Sequence, residues 1–95
     1  MHLEIKFQRV GDNTVRTPDP IGLNLGDTVR YTLDGGNVTV VFTGNQSPFE
    51  KSTIANQEVV KVVNPGRFLC KILIDGTEAK WTRGEGADHD VPKGN

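Results

Sequence analysis

A chain of 95 residues has room for one core and not for two, because a domain of this size buries roughly two thirds of its unfolded surface. Eleven basic and twelve acidic side chains leave a formal charge of -1 with no long block of one sign. That excludes the positive stripe that nucleic acid requires and the basic amphipathic helix of a membrane-surface protein.

No apolar run approaches the ~20 residues that span a bilayer, and Met1-His2-Leu3-Glu4-Ile5-Lys6 lacks the basic-then-apolar layout of a signal peptide. A cytoplasmic protein is expected, although a mature fragment carrying an added Met1 would read the same way. Eleven valines and nine threonines against three alanines favour strand over helix, since branched β-carbons suit a pleated surface and crowd a helical turn. The expectation is a single all-β domain over residues 1–95, with a polar tail from about residue 92.

In chain order, residues 2–9 read as a strand with Leu3, Ile5 and Phe7 inward, closed by the turn Gly11-Asp12-Asn13. Thr17-Pro18-Asp19-Pro20 cannot continue a ladder because each proline removes a donor, so it marks a break or an edge before Ile21, Leu23 and Leu25 resume alternation. Residues 25–42 read as a half-buried β-hairpin: Val29, Tyr31 and Leu33 share one face, Asp34-Gly35-Gly36-Asn37 turns, and Val38, Val40 and Phe42 repeat the period of two. Residues 44–57 are the longest stretch without a strand pattern, with room for one short helical turn, and are the loop expected to carry function.

Residues 59–63 form a valine-rich strand ended by Asn64-Pro65-Gly66. After it Phe68, Cys70, Ile72 and Ile74 share one face, with Arg67, Leu69, Lys71, Leu73 and Asp75 on the other. Asp75-Gly76 reads as a hairpin turn into residues 77–82. Gly84-Glu85-Gly86-Ala87 reads as flexible, and residues 88–91 as a brief last strand. The expected core is Leu3, Ile5, Phe7, Leu23, Val29, Tyr31, Val40, Phe42, Val60, Val62, Phe68, Cys70 and Ile72.

Gly26-Asp27-Thr28-Val29-Arg30-Tyr31, the following valine-rich strand, Ser47-Pro48-Phe49-Glu50, and Pro65-Gly66-Arg67-Phe68 leading a late strand together resemble the cupredoxin-like Greek-key sandwich. The likeness spans roughly residues 3–91 and is particularly similar to small uncharacterised bacterial domains of that kind that lack copper ligands. It implies an antiparallel Greek-key β-sandwich of seven or eight strands. In copper-binding members a histidine stands where this chain has Val38. The cysteine and second histidine follow the late Pro-Gly-aromatic strand, with the thiol near the place of Ile72, so Cys70 comes two residues early and no histidine follows until His89. The resemblance carries over the scaffold and withdraws the metal site, and no cofactor is expected.

Cys70 as a nucleophile needs a base or a positive field nearby, and Lys71 points to the opposite face of its strand, so Cys70 reads as a small buried hydrophobe. A single cysteine forms no internal disulfide and agrees with a reducing compartment. His2 and His89, with Asp88 and Asp90, are the candidates for a metal site, yet both histidines lie near chain ends and read as solvated. Asp27 reads as a turn residue accepting local backbone N–H groups. The sequons Asn37-Val38-Thr39 and Asn45-Gln46-Ser47 matter only in a secreted eukaryotic protein.

An enzyme needs convergent titratable groups. Ser47 and Ser52 are the only serines, and no histidine is close in sequence to either or to Cys70. The expected function is therefore a non-catalytic binding or structural module that meets a protein or peptide partner, with neither nucleic acid nor membrane as a partner. Ser47, Pro48, Phe49 and Glu50 are the candidate partner-binding loop, in which Phe49 either plugs one end of the sandwich or lines an exposed patch. Trp81 with Arg83 is a further aromatic at an interaction surface or at the edge of the core, and an edge strand near Pro18 and Pro20 is a second place for a peptide. The alternative function is copper or other metal binding through His2 and His89.

Overall fold

In the computed structural model, which describes residues 1–11, 13–17, 21–44, 46–79 and 89–91, every regular element is a strand. The first sheet places β1 (His2–Val10) between β2 (Asn13–Thr17) and β4 (Thr28–Leu33), with β7 (Val59–Lys61) beyond β4. In the second, β9 (Cys70–Ile74) and β5 (Val38–Phe42) are central, flanked by β10 (Thr77–Glu78) and β6 (Thr53–Ile54). A small third sheet runs β3 (Ile21–Gly22), β11 (His89–Val91), β8 (Gly66–Phe68). These eleven segments among the described residues exceed the seven or eight strands expected. Pairing is mostly antiparallel, but β1 with β4 and β3 with β11 run parallel.

The faces follow the alternation. Val29, Tyr31 and Leu33 of β4 and Val38, Val40 and Phe42 of β5 are all buried. The expected hairpin is nevertheless absent: β4 pairs with β1 and β7, and β5 with β9 and β6. In a hairpin the two apolar rows would lie side by side on one sheet, whereas here they belong to opposite sheets and meet across the core. A period of two says which residues face inward and not which strand lies alongside.

The connection between β4 and β5 is held by the turn after β9. The Asn37 N–H donates to Asp75 Oδ1 at 2.9 Å, and the Asp75 N–H donates to the Asn37 carbonyl at 2.9 Å. A Cβ on Gly36 would stand 2.9 Å from Leu33 Cδ2 and 3.2 Å from Asp75 Oδ2, so any larger residue there would push on both side chains. Asp75 and Gly76, at φ 51° and 86°, make the tight turn from β9 to β10, as Asp-Gly predicts. β10 itself stops at Glu78, and residues 80–82 of the expected strand lie outside the described residues.

One buried cluster joins the sheets, and it adds Leu33, Val38, Phe49, Ile54, Ile74 and Val91 to the expected core. Leu3 and Cys70, expected inside, are only partly buried and pack at its margin. The alternation expected at Leu25 fails, since that side chain is 41% exposed, outside any strand. Asp27 is buried in the tight approach to β4, where its Oδ2 accepts the Asn24 N–H at 3.2 Å and its own N–H donates to the Asn24 carbonyl at 3.1 Å. The residues of Thr17-Pro18-Asp19-Pro20 beyond Thr17, along with Asn45, Trp81, Arg83, residues 84–87 and Asp88, lie outside the described residues.

Candidate functional site

The loop Ser47-Pro48-Phe49-Glu50 turns most of itself inward. Ser47, Pro48 and Phe49 are buried and Glu50 is exposed. The Phe49 ring meets Phe42 edge-on at 5.7 Å between centroids and Tyr31 at 6.3 Å, geometry that favours aromatic pairs. Phe49 thus closes the core, and the surface this loop offers a partner is polar. No helical turn occurs among the described residues of 44–57, and the short β6 occupies part of the stretch instead.

Hydrogen bonds fix the loop from both sides. Ser47 Oγ accepts the Phe49 N–H at 3.1 Å and donates to the Lys51 carbonyl at 2.7 Å. Asn64 Nδ2 donates to the Ser47 carbonyl at 3.0 Å, while the N–H groups of Val63 and Asn64 converge on the Pro48 carbonyl at 2.7 and 3.1 Å. Asn64-Pro65-Gly66 therefore packs against the loop as well as turning the chain. Between residues 46–47 and residues 64–68 lies an open groove of about 320 Å³. Ser47, Asn64 and Phe68 give it fixed walls, and the exposed Gln46 and Arg67 give it hydrogen-bonding and charged rims.

The histidines part company. His2 lies on the outer face of the first sheet, where Nδ1 is 2.7 Å from Thr28 Oγ1 and Nε2 is 3.8 Å from Glu4. Glu4 also pairs with Arg30 across the parallel strands β1 and β4, and that guanidinium holds its carboxyl below the ordinary range. His89, expected to be solvated, is instead 0% exposed. Its position in β11 explains this: His89 and Val91 share a face, Val91 is buried, and so the imidazole enters the core with it. That alternation was the available signal. His2 faces outward from the first sheet, whereas His89 enters the core from the third, so the two do not meet.

Inside, His89 gathers one group from each four-stranded sheet. The Tyr31 hydroxyl of β4 is 2.6 Å from Nε2, and the Cys70 Sγ of β9 is 3.8 Å from Nδ1. The imidazole packs edge-on against Phe42, 5.1 Å between centroids. Burial, and then the negative charge a Cys70 thiolate would carry, push the Tyr31 hydroxyl well above its ordinary value, so its proton stays on the oxygen and is available to donate. The reading of Cys70 as an inert core residue beside Lys71 alone missed His89, which arrives from a strand distant in sequence. At the place of the first copper ligand stands Val38, fully buried. Among the described residues no three His, Cys, Asp or Glu side chains come together as a metal site.

A second open cleft, about 370 Å³, lies between the tips of the β1–β2 and β9–β10 hairpins. Arg9 and Asp75 pair across it, and Asp75 is held below the ordinary carboxylate range by the Asn37 N–H and then by Arg9. Its central charges therefore already satisfy one another. Among the described residues no helix is long and apolar enough to cross a membrane. No family model matches the chain, and no curated protein matches it.

Proposed function

We propose that this chain is a non-catalytic binding module on a metal-free, cupredoxin-like Greek-key scaffold, and that it receives an extended peptide segment of a protein partner in the groove between residues 46–47 and 64–68. The scaffold reading is supported by the passage of consecutive strands β4 and β5 from one sheet to the other, since a Greek key needs connections that leave the neighbouring strand. The observation that carries the binding reading is the fixed groove wall. Phe49 anchors the loop in the core while five hydrogen bonds to Ser47 and Pro48 atoms set its backbone, so binding there spends little on ordering the protein side. An open, polar-rimmed groove suits a peptide better than an enclosed small molecule.

The full chain, panned against a displayed library of random peptides, should enrich binders. Arg67→Glu and Gln46→Lys should each weaken the selected peptides about ten-fold or more, while Lys6→Glu on the outer face of β1 should leave them unchanged. A library that enriches nothing, or peptides that bind the groove variants as well as the wild type, would end the reading. The alternative of a metal protein built on His2 and His89 draws no support from their placement, since His2 is exposed on β1 and His89 is buried in the core.

A further inference from the structure

The contact between Cys70 and His89 supports an inference independent of the groove. We propose that Cys70 is a modification site: its sulfur, facing the buried His89 Nδ1, reacts with low-molecular-weight disulfides and is held as a mixed disulfide.

Three observations converge on it. Cys70 is only partly buried, at the first position of β9, which leaves the residue in partial reach of solvent. His89, fully buried, directs Nδ1 at that sulfur from 3.8 Å. Tyr31, also fully buried, places its hydroxyl 2.6 Å from the other ring nitrogen. In the proposed arrangement the Tyr31 hydroxyl donates to Nε2, which leaves the ring proton on Nδ1 and turns it toward sulfur. An N–H donor aimed at sulfur favours thiolate over thiol, because the anion accepts the stronger hydrogen bond. Tyr31 is thus a positioning residue: it touches no reagent and acts by fixing the tautomer of His89.

The exchange balances without an outside oxidant beyond the disulfide itself. Cys70 releases its proton to solvent, the thiolate attacks one sulfur of the reagent, an S–S bond forms to Sγ as the reagent's own S–S bond breaks, and the departing thiolate takes up a proton. One thiol and one disulfide become a mixed disulfide and a small thiol. Thiolate fraction governs the rate at neutral pH, so a stabilised thiolate in reach of solvent outruns an ordinary one.

The test is the rate of reaction of the full chain with 4,4′-dithiodipyridine at pH 7, against an unstructured peptide of residues 67–73 in the same buffer, with Cys70→Ser as blank. The wild type should react several-fold faster than the peptide, because the gain in thiolate fraction outweighs the nucleophilicity that a more acidic thiol gives up. Tyr31→Phe and His89→Gln, checked for fold by circular dichroism, should fall back toward the peptide rate. A wild-type rate equal to or below the peptide's overturns the proposal. So does a fast wild type whose folded variants stay equally fast. If both variants unfold, the wild-type comparison with the peptide decides by itself.

Discussion

The loop around Phe49 and the short strand carrying His89 each deliver one ring to the same aromatic cluster, and they are held there by different forces. Phe49 is apolar, meets Phe42 and Tyr31 edge-on, and asks of its surroundings only volume; its loop is fixed by backbone and hydroxyl hydrogen bonds around it. His89 rides on a regular ladder between β3 and β8 and brings two ring nitrogens into the core, each facing a partner. An apolar ring is replaceable by shape, whereas a buried polar ring is stable only while its partners stay. The two regions should therefore fail in different ways when altered.

The largest effect belongs to the apolar ring. Phe49→Ala should destabilise the fold by ~3 to 5 kcal/mol through lost burial and the cavity left behind. Its exposed neighbour should behave as surface, with Glu50→Ala within ~0.5 kcal/mol. Denaturant midpoints for the pair check this, and similar costs at the two positions would mean that the ring is not anchored as described.

The polar ring comes next. Tyr31→Phe keeps the aromatic volume and removes the hydroxyl that faces His89 Nε2, leaving a buried nitrogen without that bond, which should cost ~1 to 3 kcal/mol. Phe7 stacks on the same Tyr31 ring at 6.1 Å, so packing is conserved and the loss reports the hydrogen bond. A cost near zero would remove the distinction between the two regions.

These two rings also mark what the sequence made legible. Strand faces were readable wherever a period of two ran unbroken, as in β1, β4, β5 and β9, because the pleat fixes side-chain direction residue by residue. Strand neighbours were not: the β4–β5 connection has the composition of a hairpin turn, yet Asp75, far along the chain, ties Asn37 to the other sheet. Phe49 sits in an irregular loop with no period to read, and its burial depends on bonds to Asn64 and Val63 that spacing does not encode. His89 had a period, alternating with Val91, but its polarity and its place near the chain end argued for solvent. The groove and the Cys70–His89 contact are both made by segments remote in sequence, and so neither could be seen in one dimension.

A smaller effect should come from the hydroxyl that ties the loop. Ser47→Ala loses the bond to the Lys51 carbonyl and the acceptor for the Phe49 N–H, at ~1 kcal/mol. Hydrogen exchange should quicken at the Phe49 amide and remain unchanged at the amides of β11. Equal acceleration in both places would mean that loop and strand open together rather than separately.

The smallest effect concerns pH. Glu58, just past the loop, accepts from Lys51 Nζ and from the Ala55 N–H, and these two donors, Lys51 first, hold its carboxyl below the ordinary range. A carboxyl depressed in the folded state binds its proton more readily in the unfolded chain. Its contribution is therefore fully present above the unfolded value of about 4.3 and is lost as pH falls through the lower folded value. Glu58 is exposed enough for solvent and salt to screen most of it. The wild type should be slightly more stable than Glu58→Gln at pH 6, and the gap should close as the pH is lowered below 4. Added salt should narrow it at pH 6, because the pair with Lys51 lies at the surface. A Glu58→Gln gap that persists at low pH would place the effect in the packing of the side chain instead of its charge.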